Sequence, residues 1–280
     1  MQYQTTLRDK LHFEGVGLHS GEPSCATIFP APAKSGLHFV LAGGVHFPAT
    51  AEYVVETSRA TVLGTGNQTV STVEHLLAAL FGMGVDNAQI HVSGPEIPVM
   101  DGSAKIFSDA IAAVGTTSLG EPRTRFVPTS PVFFREGERS LIVLPAASFR
   151  IKFMADYSPP IGTHFFDSEI TPSMFAHEVA ASRTFGYLHE VEGLRRRGLA
   201  LGGTLENAIV FAPEGPMQPL RWPNEVVRHK VLDMIGDLAL LGAWPQCEVI
   251  AIKSGHRLHC IATQELRRGL LTTLPSARVR

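Results

Sequence analysis

Cysteine is scarce in this chain of 280 residues, which contains only Cys25, Cys247 and Cys260. An odd number of cysteines without CxxC spacing argues against a disulfide framework and against a cysteine-rich zinc knuckle. An excess of charge of one sign is also lacking, because 24 basic and 26 acidic residues give a formal net charge of -2. Proteins that bind nucleic acid or anionic membranes electrostatically carry a stronger positive field. We therefore expect a reducing compartment and no nucleic-acid partner.

No run of apolar residues approaches the roughly 18 that a membrane-spanning helix requires. The first residues, MQYQTTLRDKLHFEG, lack the apolar segment of a secretory signal. Low-complexity tracts are absent, and 44% hydrophobic with 18% charged residues is the composition of a globular protein. The sequence therefore predicts a soluble, cytoplasmic protein without a stable membrane anchor, and we expect it to be a monomer.

The best internal linker is the segment GEPRTRFVPTSP at residues 120–131, which contains three prolines. It separates two parts of ordinary domain size, and we predict an N-terminal domain at residues 1–120 and a C-terminal domain at residues 126–280. Each part contains short strand-like runs and helical segments. Helices are predicted at residues 72–83, 104–114, 173–181 and 224–241. The pattern predicts an α+β fold built from two similar halves.

One predicted helix contains VVRHKVLDMIGDL at residues 226–238, with His229, Asp233 and Asp237 at intervals of four. At 100° per residue these three side chains lie on one face, roughly opposite the apolar residues. Two interpretations are open: the solvated face of an ordinary amphipathic helix, or a set of metal ligands. Lys230 lies beside this stripe, and Gly236 leaves room next to it.

In the first half, Ser71 and Glu74 fit a capping box, which is one account of Glu74. The side of this helix that carries His75 has alanine and glycine but no charge after Glu74, so we expect another element to cover it. His75 together with the pair His229 and Asp233 makes three ligands, the number that a catalytic zinc needs. Two imidazoles and a carboxylate suit zinc better than magnesium or calcium, and iron(II) remains possible.

Two further groups have a possible role in acid–base chemistry. Glu74 adjoins a predicted ligand and is therefore placed to take a proton from a metal-bound water. His256 follows an apolar strand in the turn of KSGH, where it is either an exposed turn histidine or the partner of Asp237. A protonated His256 held by Asp237 would stabilise an oxyanion and protonate a leaving amine.

Seven motifs occur in order between about Gly15 and His256: GVGLHSG, STVEHLLAAL, GPEIPVMDGSA, SRTFGYL, RGLALGG, VRHKVLDMIGDL and KSGH. This combination resembles the UDP-3-O-acyl-N-acetylglucosamine deacetylases of lipid A biosynthesis, the LpxC family. The resemblance implies two similar α+β domains, each a β-sheet layered with helices, with zinc held at the interface between them. It also implies hydrolysis of the N-acetyl group of UDP-3-O-((R)-3-hydroxyacyl)-N-acetylglucosamine to the free amine and acetate.

The resemblance also implies roles for individual residues. It makes His75, His229 and Asp233 the zinc ligands, Glu74 the general base, His256 with Asp237 the second acid/base group, and Thr184 the hydroxyl that helps to bind the oxyanion. Lys230 is similar to the lysine that meets the substrate near its nucleotide, with Lys253 as a lesser candidate, and Phe185 is either a substrate contact or packing. His19 lies in a family motif, and we do not assign it as a ligand.

Two substrate regions are implied in the same way. Asp156 and Tyr157 resemble the aspartate and the aromatic residue that contact the uracil, although Ser158-Pro159 stands where the family often has His-Pro. The fatty-acyl passage corresponds to an inserted segment at residues 184–210. Its wall residues by position are Val191, Leu199, Ala200, Ala208 and Val210.

Two other functions stay open. One is a zinc amidase that acts on a different N-acyl sugar, and the other is a non-catalytic protein that binds acyl-sugar nucleotides. The presence of Glu74 and His256 beside the three predicted ligands argues against the second alternative.

Overall fold

A computed structural model describes residues 3–273 of the chain. The predicted domains begin and end at residues 1 and 280, and both of these positions lie outside the described residues. Among the described residues, no helix is both long and apolar enough to span a membrane.

The strands occur in both halves of the chain. They are β1 Tyr3–Leu7, β2 Leu11–Val16, β3 Pro23–Pro30, β4 Leu37–Leu41, β5 His46–Pro48, β6 Val54–Glu56, β7 Val62–Thr65, β8 Gln68–Val70, β9 Ala88–Val92, β10 Thr116–Pro122, β11 Arg125–Phe126, β12 Val132–Glu136, β13 Arg139–Pro145, β14 Arg150–Asp156, β15 Thr163–Glu169, β16 Phe185–Tyr187, β17 Ile209–Ala212, β18 Gly215–Pro216, β19 Trp244–Pro245 and β20 Cys247–Ile252. The helices are α1 Glu74–Gly82, α2 Lys105–Val114, α3 Pro172–Met174, α4 Leu188–Arg196, α5 Glu225–Ala239 and α6 His256–Thr273. Short 3-10 turns lie at Ala42–Gly44 and Ala51–Tyr53, and a π-helical turn lies at Phe175–Val179.

Each half contains a five-stranded sheet, and the two sheets have the same topology. The first has the order β2-β3-β9-β4-β5, and the second has the order β12-β13-β20-β14-β15. In both sheets the strand that comes last in the chain lies in the middle, antiparallel to the second strand in chain order and parallel to the third. The prediction of an α+β fold with two similar halves is therefore confirmed.

The strands follow the period of two that a half-buried sheet requires. In β14, for example, Ile151, Phe153 and Ala155 are buried while the residues between them are partly exposed. The inner faces of both sheets pack into one continuous core. A smaller apolar cluster lies beside β17 and contains Ile161, Ile209, Phe211 and Val226. Phe185, Tyr187 and Ile209 of the segment at residues 184–210 pack in this cluster.

Helices α1 and α5 pack against each other in the centre of the molecule. Every residue of α1 is buried, and so is every residue of α5 except Arg228. The two helices approach so closely that a Cβ atom at Gly236 would lie 2.1 Å from the carbonyl oxygen of Glu74. His229, Asp233 and Asp237 are at most 3% exposed. The solvated-face interpretation of their stripe is therefore wrong, and the predicted covering of His75 is confirmed.

The capping box predicted from Ser71 and Glu74 does not form. Val73 is the N-cap residue without a side-chain hydrogen bond, and α1 begins at Glu74. The main chain of Ser71 is instead bonded to the segment at residues 95–97, through the carbonyl of Pro95 and the N–H of Ile97. The carboxylate of Glu74 is thus available for another contact.

Other boundaries also differ from the prediction. The predicted helix at residues 173–181 is divided between α3 and a π-helical turn. The predicted linker at residues 120–131 contains the end of β10 and all of β11, which pairs with β19. His256 is the first residue of α6 and not a turn residue, because the chain turns at Lys253, Ser254 and Gly255 before it.

Candidate metal centre and active site

A cleft with a volume of about 960 Å³ contains most of the predicted site residues. Residues of both halves line it, and the central helices α1 and α5 form its floor. The predicted residues along its wall are Glu74, His75, Asp156, Tyr157, Thr184, Phe185, His229, Lys230, Asp233, Lys253 and His256. The fold thus gathers side chains that are up to 182 positions apart in the sequence, from Glu74 to His256.

The three predicted metal ligands meet in this cleft. The Nε2 atoms of His229 and His75 lie 3.3 Å and 3.7 Å from Oδ1 of Asp233. One ligand atom from each residue lies within 4.8 Å of the others. His229 and Asp233 stand one turn apart on α5, as their spacing predicts, and α1 supplies His75 from the opposite side.

The hydrogen bonding of Asp233 tests whether His75, His229 and Asp233 fit a bound cation. Its Oδ1 atom is buried and accepts no hydrogen bond, whereas its Oδ2 atom accepts one from Nζ of Lys230 at 2.6 Å. A buried carboxylate oxygen without a partner is costly. The side of Asp233 that lacks a partner faces the two imidazoles, so these three residues fit a bound metal ion.

The protonation states also suit ligation, which requires a neutral imidazole and an ionised carboxylate. Burial lowers the pKa of His229 to about 4, and its Nδ1 atom lies 3.0 Å from the carbonyl oxygen of Ser182. This hydrogen bond leaves Nε2 of His229 unprotonated and directed at the cluster. Burial opposes ionisation of Asp233, but its electrostatic interactions with His229, Lys230 and His256 hold its pKa well below the usual value.

Glu74 lies at the start of α1, beside His75. Its Oε2 atom accepts a hydrogen bond of 3.0 Å from the backbone N–H of Thr61, and its Oε1 atom lies 3.7 Å from Nε2 of His256. Burial raises the pKa of Glu74, and its electrostatic interactions with His256 and His75 only partly oppose this effect. A raised pKa makes the carboxylate a stronger base.

His256 forms the other side of the cleft and is paired with Asp237. Its Nδ1 atom donates to Oδ2 of Asp237 at 2.9 Å. Burial disfavours the imidazolium, but the carboxylates of Asp237, Glu74 and Asp233 outweigh it and raise the pKa of His256 to about 9. His256 is therefore a cation at neutral pH, and its Nε2–H group points between Glu74 and Asp233.

Two residues that support Asp237 were not predicted. Thr61 donates its hydroxyl to Oδ1 of Asp237 at 2.6 Å, and His259 donates Nδ1–H to Oδ2 at 2.9 Å. Nε2 of His259 lies 2.8 Å from the hydroxyl of Ser254. The spacing of three between His256 and His259 was a signal for His259, since such residues share a helix face. No local signal marks Thr61, which is 176 residues from Asp237.

The predicted uracil contacts and Lys253 lie at the rim of the cleft, whereas Lys230 is buried beside Asp233. Lys253 forms ion pairs with Asp156 at 2.7 Å and with Glu138 at 3.2 Å. The ring of Phe185 contacts the rings of Tyr157 and His229 edge-on, with centroids 5.2 Å and 6.0 Å apart. These contacts connect the rim to the candidate metal centre through aromatic side chains.

The predicted acyl-passage residues are not brought into the cleft. The wall of the cleft does not contain Val191, Leu199, Ala200, Ala208 or Val210. In the segment at residues 184–210, α4 buries the side chain of Leu194. Strand β16 contributes Phe185, Gly186 and Tyr187 to the wall of the cleft. The cleft wall also contains residues that the sequence did not single out, among them Leu18, Arg59, Arg139, Glu190 and Arg257.

A duplicated α+β fold with a buried cluster of two histidines and an aspartate beside a buried glutamate is typical of a metal-dependent hydrolase. A family model described as UDP-3-O-acyl N-acetylglycosamine deacetylase, LpxC, matches residues 4–268. The chain belongs to this family, and the resemblance of its motifs is confirmed.

Similar proteins are named UDP-3-O-acyl-N-acetylglucosamine deacetylase in several bacteria. The one from Geobacter sp. is 42% identical over 275 residues, which cover 96% of this chain and 90% of that protein. The one from Nostoc sp. is 41% identical over 273 residues, covering 94% and 98% of the two chains. The one from Myxococcus xanthus is 44% identical over 262 residues, covering 91% and 83%.

Proposed function

We propose that this protein hydrolyses the N-acetyl group of UDP-3-O-((R)-3-hydroxyacyl)-N-acetylglucosamine, releasing acetate and the free 2-amine, in lipid A biosynthesis. The observation that carries this proposal is the buried oxygen of Asp233 without a partner, which faces His75 and His229 beside Glu74 and His256. Membership in the deacetylase family and the names of the similar proteins support the choice of substrate.

The metal in this proposal is zinc, held by His75, His229 and Asp233. Two imidazoles and one carboxylate would suit zinc, and iron(II) would accept the same donors. When bound, the ion supplies a Lewis acid that polarises the acetamide carbonyl and increases the acidity of a water molecule.

In this mechanism Glu74 removes a proton from the attacking water. The backbone N–H of Thr61 occupies Oε2, so Oε1 is the atom that accepts the proton. His256 stabilises the oxyanion through its Nε2–H group and then gives that proton to the leaving amine. Asp237 keeps His256 protonated and fixes the direction of its ring. The hydroxyl of Thr184 provides a further hydrogen bond to the oxyanion.

Residues of the cleft wall bind the nucleotide in this proposal. Tyr157 contacts the uracil beside Asp156, and Lys230 and Lys253 provide positive charge for the nucleotide part. Phe185 continues the apolar wall towards the metal centre. The acyl chain runs along the segment at residues 184–210, with Val191, Leu199, Ala200, Ala208 and Val210 as wall residues, and it enters beside β16, which lines the cleft.

The two halves are separate domains at residues 1–120 and 126–280, with the active site at their interface. The protein is a cytoplasmic monomer that binds its acylated substrate without a stable membrane anchor and has no nucleic-acid partner.

The test is Glu74→Gln, which removes the base and keeps the size of the side chain. We expect the variant to retain about one zinc per chain and to lose about 10²- to 10⁴-fold in rate of acetate release. Glu265→Gln, which changes an exposed glutamate of α6, is the matched control and leaves both quantities unchanged.

A substrate panel distinguishes the alternatives. Equal hydrolysis of N-acyl sugars without the UDP or acyl groups would indicate an amidase of other specificity. Zinc and substrate binding without acetate release by the wild type would indicate a non-catalytic binding protein. Near-normal turnover by Glu74→Gln would remove Glu74 from the mechanism.

A further inference from the structure

The outer face of the first sheet carries a second group of potential metal ligands, remote from the cleft. His12 and Glu14 lie on β2, and Cys25 lies on β3. None of the three lines the cleft described above. One ligand atom from each lies within 4.8 Å of the others.

The pairing of two adjacent strands holds these side chains together. His12 and Glu14 are two residues apart on one strand, so their side chains point to the same face. Glu14 is directly opposite Cys25 in the antiparallel register, and such a pair has its Cβ atoms about 4.5–5.5 Å apart. The sheet therefore fixes the three backbone positions, and only side-chain rotations are needed to bring the ligand atoms onto one ion.

The contacts of His12 orient its ring for ligation. Nδ1 of His12 lies 2.7 Å from the hydroxyl of Thr27, and Nε2 lies 2.9 Å from Oε1 of Glu14. The hydroxyl of Thr27 can either accept from or donate to Nδ1, so it satisfies this nitrogen in every protonation state of the ring. Nε2 is thereby directed at Glu14 and Cys25, in the way that an outer partner orients a metal-bound histidine.

We propose that His12, Glu14 and Cys25 form a surface site for a thiophilic divalent cation of the zinc class. Three donors around a tetrahedral ion with bonds of about 2.0–2.3 Å lie about 3.3–3.8 Å apart, which small rotations of these side chains reach. Imidazole and thiolate donors favour zinc or cadmium over magnesium and calcium. The ion takes the place of the proton between Nε2 of His12 and Glu14, the neutral ring then carries its proton on Nδ1 and donates it to the hydroxyl of Thr27, and the thiol proton of Cys25 is released to solvent.

The thiols give a readout that is specific for this site. Cys25 is partly exposed, whereas Cys247 and Cys260 are buried. Neither of the other two His and Asp clusters among the described residues contains a cysteine. Iodoacetamide labelling of the native protein, followed by peptide mass spectrometry, therefore reports on Cys25 alone and has two internal negative controls.

We expect Zn²⁺ to slow the labelling of Cys25 in the wild type. His12→Gln and Glu14→Gln each raise the Zn²⁺ concentration needed for half protection by at least about 10-fold. His46→Gln is the matched control, because His46 is exposed on β5 at the opposite edge of the same sheet. It leaves the protection unchanged.

A second measurement uses Cd²⁺, which gives an ultraviolet thiolate charge-transfer band when it binds sulfur. We expect the band in the wild type and its loss in Cys25→Ser. The proposal is wrong if Zn²⁺ does not slow the labelling of Cys25 in the wild type, or if the cadmium band is missing. It is also wrong if the same Zn²⁺ concentration protects Cys25 in His12→Gln and Glu14→Gln as in the wild type. None of these results depends on the deacetylase activity proposed above.

Discussion

Gly236 lies where the two central helices approach each other, and we predict that Gly236→Ala weakens both the fold and metal binding. The added Cβ atom would lie 2.1 Å from the carbonyl oxygen of Glu74 and 2.8 Å from its carbonyl carbon. Even a close carbon–oxygen contact is about 3.3 Å long. Because the opposing atoms are backbone, no side-chain rotation relieves the overlap, and α1 and α5 must separate by about 1 Å.

Two effects of opposite sign determine the change in stability. Replacing glycine by alanine inside a helix stabilises it by about 1 kcal/mol. Overpacking of a core typically costs about 1–3 kcal/mol, and we expect the upper part of that range because backbone has to move. The net loss of about 1–2 kcal/mol corresponds to a fall in Tm of about 2–8 °C for a chain of this size.

Metal binding is more sensitive than the fold, because α1 carries His75 while α5 carries His229 and Asp233. Metal–ligand distances tolerate changes of about 0.2 Å, well below the expected separation of the helices. We therefore expect Gly236→Ala to lower the zinc content of the purified protein as well as its Tm.

Calorimetry and metal analysis measure the two effects. Gly193→Ala is the matched control, because Gly193 lies within α4 and an added Cβ there meets only an arginine nitrogen at 4.0 Å. We expect this control to keep the zinc content and to raise Tm slightly. A Gly236→Ala protein with the Tm and the zinc content of the wild type would refute the close approach of α1 and α5.

Two further predictions concern buried polar groups. Thr61→Val removes the hydroxyl that donates to Asp237 and keeps the backbone N–H that donates to Glu74. We expect a loss of about 1–3 kcal/mol in the free energy of unfolding and a shifted pH–rate profile. An unchanged pH–rate profile would show that Thr61 does not position Asp237. Burial raises the pKa of Cys247 to about 12. Since an unfolded thiol has a pKa of about 8.5, the stability from this neutral thiol is present below that pH and falls by about 1.4 kcal/mol per pH unit above it. Urea unfolding between pH 8 and pH 11 should therefore show a steeper loss for the wild type than for Cys247→Ala, and parallel slopes would contradict the prediction.

Periodicity predicted the elements that carry the central chemistry and missed others. The helix predicted at residues 224–241 is observed at Glu225–Ala239, and that predicted at residues 104–114 is observed at Lys105–Val114. Helix α6 was missed, because the motif KSGH at its start indicated a turn. Helix α4 was missed because it lies inside the segment that the family resemblance defined as an insertion.

The contacts in the candidate site also differ in whether the local sequence predicts them. A spacing of four on one helix was enough to place His229 next to Asp233. The contact between Thr61 and Asp237 depends instead on how the residue before β7 meets α5, which no spacing within either segment records. The capping box failed for the same reason, since pairing of Ser71 with the segment at residues 95–97 competes with a local hydrogen bond.

The duplicated topology explains why the candidate metal centre lies between α1 and α5. In the first sheet α1 lies in the chain between the parallel strands β4 and β9, and in the second sheet α5 lies between the parallel strands β14 and β20. The two helices are therefore equivalent crossover elements of the two repeats. Each must cover the apolar face of its own sheet, and their packing against each other buries the opposite side as well. On that shared side His75 of one helix meets His229 and Asp233 of the other, with one ligand atom from each within 4.8 Å of the others, so a single cation between the helices can be held by both repeats.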